Sequence, residues 1–173
     1  MSRPTVRVSI LDEGRTPGEP IAFEPFELVR RKIEVFPEAL GYNERFLKGH
    51  LLPLPKPSAS LLHELAPRLD QPGKYLLPFR HFTTAMHARR RLPIFCAVNI
   101  DGAKKPAGGM PSRPGWSIDP RIDEAHQPDD SIFSSMLERG HLAARDYVYW
   151  GEDAISALGS WPSALGVNAE RCA

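Results

Sequence analysis

Apolar and polar positions alternate over residues 4–11, with Val6, Val8 and Ile10 on one side, and this period of two predicts a strand. The segment 11–20 is dense in glycine, proline and acid and predicts a loop. From 26 to 36 the apolar positions Phe26, Val29, Ile33 and Phe36 are spaced by three and four, which predicts a short amphipathic helix stopped by Pro37. A turn and then an extended segment are expected over 41–60, where Pro53, Pro55 and Pro57 alternate and favour polyproline geometry in a strap around the body of the fold. Ser60 is placed to cap a helix over 61–69, with Pro72-Gly73 ending it. Phe82, Ala85, Met86 and Arg89 again keep helical spacing. Over 92–100 the run is almost wholly apolar and β-branched or aromatic, and Asp101-Gly102 closes it. That pattern predicts a strand buried on both faces. Beyond it come a short strand at 116–118, an apolar face at Ile132, Phe133, Met136 and Leu137, and aromatic bulk at Tyr147, Tyr149 and Trp150. A short helix over 151–158, ended by Gly159, is expected last.

Composition sets bounds on this picture. A chain of 173 residues with 42% apolar and 25% charged residues suits one compact domain with its own core. The 18 prolines imply short elements and many loops. With a net charge of +1, any basic surface must be local. Cys96 and Cys172 form no metal-binding pair pattern. Their simple reading is one buried thiol and one free thiol in the tail, with a bridge between them left open. No apolar run reaches membrane-spanning length, and the N-terminus lacks a signal-peptide core, so the chain as written reads as soluble and cytoplasmic.

The residues with the most chemistry lie in ERGHLAARDYVYWG, from Glu138 to Gly151. His141 is a candidate proton acceptor near neutral pH. Arg139 and Arg145 could hold a phosphate with permanently charged, forked donors, and Gly140 allows close approach. A second basic run, Arg89 to Arg91, falls at an element junction. It reads either as a solvated face or as a phosphate contact. Asp119, Asp123, Asp129 and Asp130 match no calcium-loop spacing and are expected to be solvated loop acids, as is His126 to be a loop residue. His50 and His63 read as surface or packing residues, and Gly108-Gly109 lacks the context of a phosphate cradle.

Five segments in order share more than this triplet: GYNERFL followed by LPLP, LPFRHFTTAMHARR, the strand ending VNIDG, WSIDPRID and ERGHLAARDYVYWG. Over residues 41–157 the chain resembles the non-specific DNA/RNA endonucleases with a ββα-metal active site. The resemblance implies an α+β fold with a central, mostly antiparallel sheet flanked by helices, and a ββα-metal motif left incomplete at the C-terminus. It divides the chain into an N-terminal extension, 1–40, and a partial endonuclease domain, 41–173. The implied activity is largely sequence-non-specific hydrolysis of DNA and RNA with Mg²⁺ or another divalent cation. His141 corresponds to the general base and Arg139 to the motif arginine, while Arg89, Arg90 and Arg145 are the implied substrate contacts. The family motif usually opens with aspartate, where this chain has Glu138. Asn168 falls near the position of the family's metal-binding asparagine, although Ala169-Glu170-Arg171 departs from the Pro-Gln that usually follows.

DNA and RNA are the implied partners, with no membrane, and a homodimer or an inhibitor protein stays open. An alternative expectation is an inactive, truncated remnant that at most binds nucleic acid. A third is an interaction module using the proline strap.

Overall fold

The computed structural model describes residues 29–30, 40–108, 110, 117–128, 138–139, 141–151 and 167–168. The strand expected over 4–11 and the apolar face at 132–137 lie outside these residues, as do all but the first residue of the helix expected over 151–158 and most of the helix expected over 26–36, whose two described residues, Val29–Arg30, form a strand instead.

The centre of the fold is an antiparallel meander: β2 (Leu76–Phe79), β3 (Phe82–His87) and β4 (Leu92–Val98), in the order β2-β3-β4. With this sheet and a few short helices the fold is of the α+β kind. The helices are single turns, α1 (Ala59–Leu62) and α2 (Arg145–Val148), and no described helix is longer. Two-residue ladders complete the described elements. One joins β1 (Val29–Arg30) in parallel to β5 (Ser117–Ile118), and the other joins β6 (Glu138–Arg139) antiparallel to β7 (Val167–Asn168).

Three sequence expectations change here. The stretch expected as a helix around Phe82 to Arg89 is the central strand β3, buried at every position. A strand hydrogen-bonded on both edges and covered on both faces shows no polar alternation, so its apolar positions fell by chance on helical spacing. Thr83 and Thr84, β-branched and adjacent, suit a strand better than a helix. Both also use their hydroxyls: Thr84 Oγ1 donates to the Phe95 carbonyl at 2.7 Å, and Thr83 Oγ1 accepts the Tyr42 N–H at 2.8 Å. By contrast β4, expected to be buried on both faces, is half-buried along its length because it is an edge of the three-stranded sheet. Its register with β3 shifts at Ala85/Met86, beside Pro93, whose ring nitrogen has no hydrogen to donate. The helix expected over 61–69 stops at Leu62, and Ser58, not Ser60, is its cap. Leu65 and Arg68 instead make β-bridges to His87 and Ile122.

The core gathers Ala66, Leu77, Phe79, Phe82, Met86, Ile122, Ala143 and Val148. Phe79 and Phe82 stack with centroids 4.6 Å apart across the two-residue turn Arg80-His81. Asp119 and Arg121 sit against this core. Asp119 is fully buried, correcting its reading as a solvated acid. It accepts from Arg121 Nη2 at 2.7 Å and from Nε at 3.0 Å. Arg121 Nη1 donates to the Pro78 carbonyl at 2.7 Å, and the guanidinium lies 4.4 Å from the Phe79 ring centroid. Buried Gln127 closes the loop by accepting the Asp119 N–H and donating to the Asp119 and Ile122 carbonyls. His126, also expected as a solvated loop residue, is half-buried and donates from Nδ1 to the Ala88 carbonyl at 3.1 Å. Asp123 is exposed and caps the turn after it by accepting the Ala125 N–H. At Arg68 a paired guanidinium holds the Asp70 carboxyl below its usual range. Burial pushes the Cys96 thiol up to about 12.

The strap begins at Gly41, whose φ of +76° is left-handed. A Cβ there would stand 2.5 Å from Thr83 Oγ1 and 3.0 Å from Pro78 Cβ, so only glycine lets the strap reach the sheet. From 51 to 58 the strap has no regular structure and is mostly exposed, tied by Leu54 N–H donating to Glu44 Oε1 at 3.0 Å.

Two outcomes follow. Gly41→Ala should destabilise the fold by about 2 kcal/mol or more in urea unfolding, through backbone strain and the clash with Thr83. Asp119→Asn should cost about 3 kcal/mol or more, because it leaves the Arg121 guanidinium buried without its counter-charge. A cost near zero for the second would mean that solvent reaches that guanidinium.

Candidate active site

The chain around His141 is held on both sides. Before it, β6 pairs with β7 so that Glu138 is the register partner of Asn168, and Arg139 that of Val167. This ladder brings Asn168, distant in sequence, to the strand that leads into His141. After it, half-buried Leu142 packs on the core, and Ala143 and Val148 are part of it. His141 itself is half-buried. Arg145 is buried with Val148 in the single turn of α2.

Beyond α2 the chain meets the sheet again. The Trp150 ring stacks on His81, with centroids 3.5 Å apart and planes 19° from parallel. His81 Nε2 donates to the Trp150 carbonyl at 3.2 Å, and Trp150 Nε1 donates to the Asn99 carbonyl at 3.0 Å. His81 occupies this place with a φ of +66°, in the left-handed region that non-glycine residues rarely adopt. Asn99 extends the junction: its Oδ1 accepts the Asn43 N–H at 2.7 Å, and its Nδ2 donates to the Asn43 carbonyl. Phe46 lies 5.5 Å from the Trp150 ring, and Lys104 Nζ is 5.9 Å above it. Lys105 pairs with Asp146 on α2.

Arg89 and Arg90 occupy a different part of the molecule, the turn between β3 and β4. Both are exposed, Arg89 by 79% of its side chain. The turn under them is built. His87 is buried, and its Nδ1 accepts the Arg90 N–H at 3.3 Å, so the imidazole hydrogen sits on Nε2, 3.8 Å from Glu64 Oε2. Glu64 Oε1 lies 3.8 Å from Arg89 Nη2, and the Glu64 carbonyl accepts the Ala88 N–H. The Trp150 junction takes the His81 and Asn99 end of the hairpin and the arginine turn takes the other. At about 3.3 Å per residue, the length of β3 separates them by roughly 16 Å.

Thus β6–β7 brings Arg139, Glu138 and Asn168 together on the chain leading into His141, while Arg145 is buried in α2 and Arg89 and Arg90 form a separate basic tip. Among the described residues no cluster of three or more His, Cys, Asp or Glu could hold a metal ion. Sequence reasoning did not find the role of His81 or of Asn99. The visible signals were weak: a histidine in a Phe-Arg-His-Phe turn, and an asparagine just past an apolar strand.

Comparison with known proteins gives a consistent result. The family model for DNA/RNA non-specific endonucleases matches residues 65–159. An uncharacterized protein, y4fB, of Sinorhizobium fredii is 29% identical over 126 residues, which cover 67% of this chain and 19% of that protein. The chain therefore spans about a fifth of the length of this curated relative. No solved structure matches.

Proposed function

We propose, on the premise that the chain belongs to the DNA/RNA non-specific endonuclease family, that it hydrolyses phosphodiester bonds of DNA and RNA with little sequence preference, using Mg²⁺ and His141 as general base. The family is in general divalent-metal dependent and acts on nucleic acid. The observation that carries the finer reading is the β6–β7 register, which sets Asn168 opposite Glu138, two positions and a glycine ahead of His141. Mg²⁺ is commonly held by one or two protein oxygens, with water and substrate phosphate filling the other positions. A carboxamide and a carboxylate on neighbouring strands suit that hard, hydrated ion by donor type, and Asn168 is the residue assigned to it. Bound there, Mg²⁺ would offset charge on the bridging and leaving oxygens.

The chain's own residues do the rest. His141 takes a proton from the attacking water, a contribution of about 10² to 10⁴-fold. Arg139 stabilises the charge that grows on the phosphate. Arg89 and Arg90 bind backbone phosphates away from the reacting bond, and Arg145 is the third proposed substrate contact. Such contacts fix position without reading sequence.

One observation favours a second reading. Asn168 is followed by Ala169-Glu170-Arg171 and not by the Pro-Gln usual after the family's asparagine. A chain that binds nucleic acid without cutting it would follow if the carboxamide cannot reach the metal.

Plasmid DNA and a single-stranded RNA incubated with Mg²⁺ separate the two. Cleavage should stop with chelator and fall by about 10² to 10⁴-fold in His141→Ala, with binding retained. Undiminished cleavage by that variant would remove the imidazole from the mechanism. Arg89→Ala and Arg90→Ala should each weaken DNA binding evenly across sequences and lower the slope of log affinity against log salt by about 1. An unchanged slope would take the arginine turn out of the nucleic-acid interface.

A further inference from the structure

We propose that His81 is a positioning residue for the segment that carries His141, acting through its stack on Trp150; this rests on the nuclease reading above. Four observations carry it. His81 is held at a φ of +66°, a conformation that costs a non-glycine residue free energy and persists only where surrounding contacts enforce it. Its ring meets Trp150 twice: the imidazole face lies on the Trp150 indole with centroids 3.5 Å apart, and Nε2 donates to the Trp150 carbonyl. Trp150 is fixed on its other edge by its Nε1 bond to Asn99, whose backbone N–H in turn donates to the His81 carbonyl at 2.8 Å. Gly151 N–H donates to the Lys104 carbonyl at 3.0 Å, so the chain is pinned just beyond the stack as well.

The segment 141–150 is thereby fastened at its C-terminal end to the β2–β3 turn, while Leu142, Ala143 and Val148 fasten its middle to the core. Small losses of alignment at a reacting group are costly: a displacement of about 1 Å can lower a rate by about 100-fold. His81 therefore sets the position of the general base and takes no part in proton transfer.

Two variants test this. His81→Gly removes the stack and the donor but relieves the left-handed strain. His81→Asn keeps a donor and tolerates the same backbone. On plasmid DNA with Mg²⁺, His81→Gly should lower kcat by about 10- to 100-fold while KM stays within about twofold and the melting temperature does not fall. His81→Asn should recover part of kcat. Amide hydrogen exchange of residues 141–144 should be at least about tenfold faster in His81→Gly than in the parent protein. Unchanged kcat, or a kcat loss that tracks a lower melting temperature, overturns the proposal. If the parent protein does not cleave, the nuclease reading fails, and the exchange measurement alone decides: unchanged exchange at 141–144 overturns the coupling.

Discussion

One guanidinium holds the middle of this fold together. Arg121 lies against the Phe79 ring, donates to the Pro78 carbonyl on β2 and pairs with a carboxylate that has no access to solvent. Charges taken out of water are costly unless every donor and acceptor finds a partner. Here the requirement is met by Asp119 and the β2 backbone, and Gln127 satisfies the adjoining loop. The geometry this demands fixes where residues 119–122 meet β2 and leaves Ile122 inside the core. Apolar contacts tolerate sliding, but a forked donor set between two fixed acceptors does not.

From that anchor the sheet carries order outward to its two ends. At one end, buried His87 and the Glu64 backbone shape a turn that presents arginines. At the other, His81, Asn99 and Trp150 interlock the strap, the sheet and the chain leaving α2. The three-stranded sheet thus lies between a cationic tip and the candidate catalytic segment.

The sequence conveyed some of this and hid the rest, for identifiable reasons. The strand β4 was legible because its β-branched and aromatic run ends in Asp-Gly, and the short strand before Asp119 was legible as well. β3 was misread because complete burial erases the alternation that marks a strand, leaving Phe82, Ala85 and Met86 at spacings a helix shares. Asp119 passed for a loop acid because burial depends on Arg121 folding over it, and no local pattern encodes that. The Arg-Gly-His triplet could be seen at once. What could not be seen was that a two-residue ladder would set Asn168 beside it, since pairing between distant strands leaves no trace in either strand alone. His81 was hidden for a similar reason: its meaning lies in a backbone angle and in a tryptophan 69 residues away.

Those sequence separations also imply an order of assembly. The meander β2-β3-β4 joins neighbours in the chain, whereas Asn43 meets Asn99 across 56 residues and Trp150 meets Asn99 across 51. Long loops close late, because their entropy is lost before their contacts are gained. The hairpins form a nucleus on which the strap and then the histidine-bearing segment dock, and under mild denaturant the last to dock are the first to leave. Attachment of the histidine-bearing segment is therefore a more fragile property of this molecule than its β-structure, and is lost while the sheet is still intact.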